Sequence, residues 1–488
     1  MSRLTNKIHE YAVTRPYKAA LICDDLTVSY LELSDQIRKV TAYLIAAGIR
    51  ADDHVGILLP NSIGTVVAML SIAEIGAAIV PLSPYTPVTQ ITRIFHAADV
   101  RSVITVAPLA DKTSGHKTIV IPLIQELKER VNAPAVDHNH IFIVSATSGS
   151  TGAPKSILLD IETVMRRSLQ TIAYYGLSEE DVILAATPLY HTLAERLVIM
   201  PLLIGATAVI LPHFTPEKWA DVISRYQVTF SVLVSVQIQN IAATLDLAAE
   251  KLSYLRILVS SSDKLDLQTK KRILDTTQIE FHEIYGTSEI AAVTDINFRK
   301  YPLKCDSVGR AIQNKEVAIM SAAGEICSPY TVGEIVCKTD LICQGYLNTD
   351  NDRSGWFHTG DLGYLDDDGF LYFTGRKKEV IIVGGVNVYP VDIEDVIKEL
   401  EVVDDAMVCA LPDEQLGEVP CAAVRIEKSL DENTCKRQIM AHCIKHLLDI
   451  QLPRKIVFMD ALPYNSMHKP RRSDLKNMVL GGLIWKER

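Results

Sequence analysis

The chain has 488 residues, 48% hydrophobic and 22% charged, with 49 Lys and Arg against 59 Asp and Glu for a net charge of −10. That length corresponds to roughly three domain-sized units, and the apolar content excludes a disordered or low-complexity protein. The acidic balance argues against a general nucleic-acid partner.

Nine cysteines occur, mostly inside apolar runs and without a C-x-x-C pair. They are expected as free thiols in a reducing cytoplasm rather than as disulfides or a zinc cluster. Residues 1–16 lack an apolar signal core.

Residues 27–30 read as a short strand, 31–47 as a helix and 54–59 as a buried strand. The apolar run 63–82 contains Gly64, Glu74 and Gly76 and ends near Pro81. A membrane span needs about 20 clean apolar residues, so this run predicts a buried helix feeding a strand at 78–82, with no integral membrane association. Such alternation predicts a layered α/β sheet. It resumes over 140–300, with buried strands at 208–211 and 257–259 and a helix at 216–225. From 305 to 374, short strands at 317–319, 334–336 and 370–373 predict a small all-β subdomain or barrel. Beyond Gly375 a compact α+β unit begins, with a strand at 380–383, a Gly384-Gly385 turn and a helix opening near Pro390. Proline suits that first turn, where its missing N–H is not needed. The best domain boundary lies near Lys378.

Residues 145–156 read Ser-Ala-Thr-Ser-Gly-Ser-Thr-Gly-Ala-Pro-Lys-Ser. Thr147, Ser148, Ser150 and Thr151 supply hydroxyls, Gly149 and Gly152 leave backbone N–H groups open to an anion, and Lys155 adds positive charge. The loop lies between apolar strands at 141–144 and 157–159, unlike a free linker. It is not a Walker A loop, because Pro154 precedes Lys155 and a strand-like stretch intervenes before the helix near Ile161.

This loop resembles the signature of the adenylate-forming superfamily, which contains acyl-CoA synthetases, carrier-protein adenylation domains and luciferases. Further motifs follow in that family's order. Tyr285-Gly286-Thr287-Ser288-Glu289, His358-Thr359-Gly360-Asp361, Gly375-Arg376-Lys377-Lys378-Glu379 and Gly384-Gly385-Val386-Asn387 are similar to family motifs. So are Ser29-Tyr30-Leu31-Glu32-Leu33, the stretch from Gly76-Ala77 to Pro81, Leu411-Pro412-Asp413 with Gly417-Glu418, and Pro463 followed six residues later by Lys469.

The resemblance implies a large N-terminal domain, 1–376, of layered α/β sheets plus a small β-barrel, and a mobile α+β C-terminal domain, 377–488. It implies ATP-dependent conversion of a carboxylic acid to an acyl-adenylate with release of pyrophosphate, then transfer to a thiol. Tyr285 would stack on adenine beside Gly286, Thr287 would donate to the α-phosphate, and Glu289 would ligate Mg²⁺ brought by ATP. Asp361 would hold the ribose hydroxyls, and Arg376 the ribose or phosphate. Lys469 would stabilise charge at the α-phosphate. Lys378 would be the hinge about which the C-terminal domain rotates, bringing Gly384 and Gly385 to a thiol tunnel. His468 stands where the family usually has glycine.

The acyl pocket is expected from His191, which matches a position near the carboxylate, and from segments containing Ser235, Ser260, Ser261 and Ile290. Ser260-Ser261-Ser262-Asp263-Lys264 stands where the family often has Ser-Gly-Gly-Ala-Pro, which would narrow the pocket against a long fatty chain. Glu195-Arg196 opens an otherwise apolar helix. A buried charge must be paired, so the two are expected to pair within the protein, the alternative being that one faces a polar substrate. The aspartate that α-amino-acid adenylation domains use is not evident near 190–193. A short or medium acid, with or without a polar group, is the expected substrate. CoA is the favoured thiol over the phosphopantetheine of a carrier protein acting in trans. A catalytically silent ATP-binding module and a kinase-like phosphotransferase are disfavoured, the first by the retained Glu289, Asp361, Arg376 and Lys469.

Overall fold

The computed structural model describes residues 2–131, 139–147, 155–347, 355–427, 430–465 and 469–481. Local chemistry accounts for several elements directly. Ser29 caps the helix Tyr30–Ala46, accepting from the Glu32 N–H while Glu32 reaches back to Ser29, a reciprocal capping box. The matched Ser29–Glu32 motif therefore serves the helix. The apolar run at 63–82 is the helix Ile63–Ile75, buried all round, followed by the strand Ala78–Pro81. Its one charge, Glu74, receives the His9 ring at 3.0 Å. Among the described residues, no helix is long and apolar enough to cross a membrane.

Two large sheets make up the first part of the chain. Among the described residues, one has nine strands and the other seven. In the first, Val182–Ala185, Phe230–Val234, Ile257–Ser261 and Glu280–Thr287 run parallel as neighbours. Parallel strands covered on both faces read as continuous apolar runs, as the sequence 230–234 and 257–259 does. The helices Ile63–Ile75 and Thr192–Ile204 share one core with both sheets, through residues such as Ile57, Phe142, Leu197 and Val232. Because the four strands are parallel, their carboxyl ends share one edge. That edge collects residues 186–191, Ser235, Ser260 to Asp263 and Tyr285 to Thr287, the position where open α/β sheets bind ligands.

The short strands expected at 305–374 form a four-stranded antiparallel sheet ordered Glu316–Met320, Gly333–Lys338, Phe357–Leu365, Leu371–Arg376. It is an open order among the described residues, not a closed barrel. Turn spacing specifies antiparallel neighbours but does not specify closure. The last part of the chain carries a fourth sheet, built on the long hairpin Asp405–Asp413 with Gly417–Arg425. Its core of Ile381, Ile393, Val408, Val424 and Ile439 is separate from the first two. The Gly384-Gly385 turn has φ of +57° and +85°, the left-handed pair that a two-residue hairpin demands.

Candidate active site

Strand Glu280–Thr287 pairs antiparallel with Ala291–Asn297. A Cβ on Gly286 would lie 1.9 Å from the Ala291 carbonyl oxygen, so glycine is required there by close backbone approach. Tyr285 Oη donates to Asp361 Oδ2 at 2.8 Å. Asp361 and Arg376 are direct partners across the neighbouring sheet, with Arg376 Nε 3.6 Å from Asp361 Oδ1. Burial raises the Asp361 carboxyl, while Arg376, Tyr285 and Lys469 draw it back down. Thr287 Oγ1 is buried without a hydrogen-bond partner. An unmade buried bond costs about 1–3 kcal/mol, and a ligand acceptor would satisfy it.

Lys469 arrives from the C-terminal part. Its N–H donates to Asn465 Oδ1 at 2.9 Å, and the Asn465 N–H donates to the Lys469 carbonyl at 3.0 Å. Burial and the nearby Arg376 lower its ammonium, opposed by Asp263, Asp361 and Glu289. Burial, and then Lys469, bring His191 down to about 4, so its ring is neutral near pH 7. Its Nε2 is buried with no partner. Ion pairs hold the two parts together around this point: Lys264 with Asp395 at 3.4 Å and Lys377 with Glu334 at 3.0 Å. Lys378 is exposed in the short turn Lys377–Glu379 between the two sheets.

Glu289 Oε1 accepts from Tyr346 Oη at 2.9 Å, and no hydrogen bond occupies Oε2 among the described residues. No cluster of three or more His, Cys, Asp or Glu that could hold a metal occurs among them either. One hard carboxylate oxygen fits a magnesium ion that is otherwise bound by phosphates and water.

Beyond this centre lies a cavity of ≈ 40 Å³ between the helices Ile161–Tyr175 and Thr192–Ile204 and the strand residues Val232, Val259 and Ile284. Arg167, Arg196 and Lys315 stand in its wall. The pairing within the protein expected for Glu195 and Arg196 is not found among the described residues. Glu195 instead faces a separate apolar pocket beside Val66, Phe142 and Val198, where burial raises its carboxyl to about 8. Successive helix residues point about 100° apart, and here they enter different layers.

The other expected pocket residues divide. Ser260 Oγ is buried and unpartnered. Ser235 Oγ donates to the carbonyls of Asp263 and Ser261, so it secures the loop instead of offering a free hydroxyl, and Ser261 supplies one of those acceptors. Ile290 is fully buried with Val293 and Cys337, whereas its neighbours Ala291 and Ala292 line the cavity. Backbone pairing sets Thr147 opposite Lys155. Ser148, Gly149, Ser150, Thr151, Gly152 and His468 lie outside the described residues. The sequence reading missed Arg167 and Lys315. It also missed Asp263 as a charge acting on Lys469, together with Lys398 and Arg472 around it.

The family model for the AMP-binding enzyme matches residues 8–347, and that for its C-terminal domain matches residues 392–469. A 2-succinylbenzoate–CoA ligase of Geobacillus sp. (strain WCH70) is 29% identical, over 98% of each chain. A long-chain-fatty-acid–CoA ligase of Bacillus subtilis (strain 168) is 26% identical, over 97% of this chain and 94% of that one. The solved O-succinylbenzoate coenzyme A synthetase of Bacillus subtilis, in complex with ATP and magnesium ion, superposes with a TM-score of 0.87 at 26% identity, covering 96% of this chain and 99% of that one. The chain belongs to the AMP-binding enzyme family, the adenylate-forming ligases.

Proposed function

We propose that the chain is an AMP-forming acyl-CoA ligase working as two parts, residues 1–376 and 377–488, with Lys469 of the second completing the site of the first. The observation that carries this reading is the place of Lys469, within electrostatic reach of Arg376, Asp263, Asp361, Glu289 and His191. In the first step a carboxylate oxygen attacks the α-phosphorus of ATP, the bond to the β-phosphate oxygen breaks, and acyl-adenylate and pyrophosphate form. Lys469 and Thr287 Oγ1 stabilise negative charge on the α-phosphate oxygens, an effect worth about a hundredfold or more in rate for one preorganised donor. Asp361 holds the ribose hydroxyls beside Arg376, and Tyr285 with Gly286 forms the adenine seat. The loop containing Thr147, Ser148, Gly149, Ser150, Thr151, Gly152 and Lys155 cradles the phosphates. Glu289 would hold the magnesium brought by ATP, which would supply positive charge against the phosphates. Neutral His191 orients the acid, with Ser260 and Ser261 at the floor.

In the second step the thiol sulfur attacks the acyl carbon, the thiol proton is lost and AMP leaves. Rotation about Lys378 withdraws Lys469 and brings Gly384 and Gly385 to the thiol. CoA is the acceptor that the relatives' names support. A carrier protein acting in trans offers the same arm. The reading places the enzyme in the cytoplasm, where ATP and CoA are supplied and its cysteines stay reduced.

ATP–pyrophosphate exchange across a panel of carboxylic acids tests the proposal. Exchange that depends on an acid, favours short or medium acids over palmitate, and is followed by thioester formation with CoA is the expected result. Release of ADP in place of pyrophosphate would overturn it.

A further inference from the structure

We propose that the acid taken by this site carries a second negative group, so that the substrate is a dicarboxylic acid whose distal carboxylate pairs with Arg196. The inference rests on the ligase reading and assigns its substrate class. Arg196 lines the cavity and makes no hydrogen bond or ion pair to any described residue; Glu195, its sequence neighbour, acts on it only at longer range. Two more cations share the wall. Arg167 spends its donors on main-chain oxygens of Leu341 at 2.9 Å, Ser288 at 3.0 Å and Glu289 at 2.5 Å. Lys315 Nζ donates to the Ala292 carbonyl. None of the three meets a carboxylate of a described residue within ion-pair distance.

The cost of this arrangement is visible in the charges themselves. Burial and Arg196 together lower Arg167 to about 9 and Lys315 to about 8. Glu289 and Asp160 act on Arg167, and Asp340 on Lys315, as weaker opposing charges. Glu195, raised to about 8, is largely protonated near pH 7 and leaves the excess in place. Uncompensated buried cations are strongly destabilising. A ligand carboxylate would supply the missing counter-charge, and a guanidinium fork matches it in shape.

The geometry also bounds the spacer. His191 caps the helix that carries Arg196, and five residues of helix span about 7–8 Å. Beside Arg196 the cavity wall is apolar at Leu193, Leu197, Val232, Val259 and Ile284. The acid this assigns is a dicarboxylic acid with an apolar alkyl or aryl spacer of about that length, one carboxylate placed at His191 and Lys469 and the other at Arg196.

The test is ATP–pyrophosphate exchange with dicarboxylic acids of graded length, their half-methyl esters and the matching monocarboxylic acids, on wild type, Arg196→Leu and Arg196→Lys. In wild type the best dicarboxylate should exceed its half-ester in kcat/KM by at least about fiftyfold, the loss usual when one partner of a buried charge pair is removed. Arg196→Leu should erase that preference with the half-ester unchanged or improved, and Arg196→Lys should restore part of it. Equal use of half-esters and dicarboxylates by wild type would overturn the inference and leave the ligase reading standing. Absence of exchange with every acid would instead overturn the ligase reading, and the inference with it. The wild-type comparison decides even if a variant fails to fold.

Discussion

The nucleotide end and the acyl end of this site both bury charge, but they balance it differently. At the nucleotide end Asp361 has Arg376 and Tyr285, and Lys469 has three carboxylates acting on it. Charge there is nearly settled within the protein, as suits a nucleotide common to a whole family. At the proposed acyl end Arg167 and Lys315 meet main-chain oxygens, and Arg196 meets no hydrogen-bond or ion-pair partner among the described residues. A binding site whose ligand is constant is neutralised in advance, while one that selects its ligand keeps an unmet demand.

The largest expected effect that would break this comparison comes from Asp361→Ala. It removes the proposed ribose acceptor while Arg376, whose side chain is 40% exposed, stays solvated, and kcat/KM for ATP should fall about 10–10²-fold, since a hydrogen bond to a charged group is worth about 1.5–3 kcal/mol. Steady-state kinetics should show KM for the acid little changed. An equal rise in both would mean that the two ends are not independent.

Lys378→Pro stiffens the exposed turn between the parts. Thioester formation should drop about tenfold or more with pyrophosphate exchange kept, because only the second step needs the rotation. Equal loss in both assays would sink the rotation.

Glu195→Gln sharpens the contrast through pH. The carboxyl is raised from 4.5 to about 8 in the folded state. Between those values the fold holds a proton that the unfolded chain releases, so stability falls as pH rises across the window. Lys315, lowered from 10.5 to about 8, acts in the opposite sense only above pH 8. Melting curves at pH 5.5 and 7.5 should show a smaller drop in Tm for Glu195→Gln than for wild type.

The smallest effect is Ser262→Gly. Ser262 has φ of +85°, a left-handed conformation costing about 1–2 kcal/mol for a residue with a Cβ. The variant should melt slightly higher. A lower Tm would show that the serine side chain contributes more than its backbone costs.

The sequence made the nucleotide end legible because its residues lie in short motifs with fixed spacing. Tyr285, Asp361, Arg376 and Lys469 were each proposed from such motifs, and the fold sets Tyr285 and Arg376 beside Asp361, with Lys469 within electrostatic reach. The acyl end was not legible in the same way. Arg167 and Lys315 come from segments far apart in the chain with no motif to mark them. Glu195 and Arg196 were expected to find partners within the protein, because sequence does not show which layer each helix face enters. Ile290 was placed in the pocket wall, but it ends the turn before the strand Ala291–Asn297 and packs into the neighbouring core with Val293 and Cys337. The layered sheets followed from apolar periodicity, whereas sheet closure at 305–374 depends on pairings that periodicity does not encode.

The central claim is that one site is completed by a lysine from the far part of the chain, and Lys469→Ala tests it most directly. Pyrophosphate exchange and thioester formation from a supplied acyl-adenylate should be measured on the same preparation. Exchange is expected to fall about a hundredfold or more with thiol transfer spared. Unchanged exchange would contradict the account.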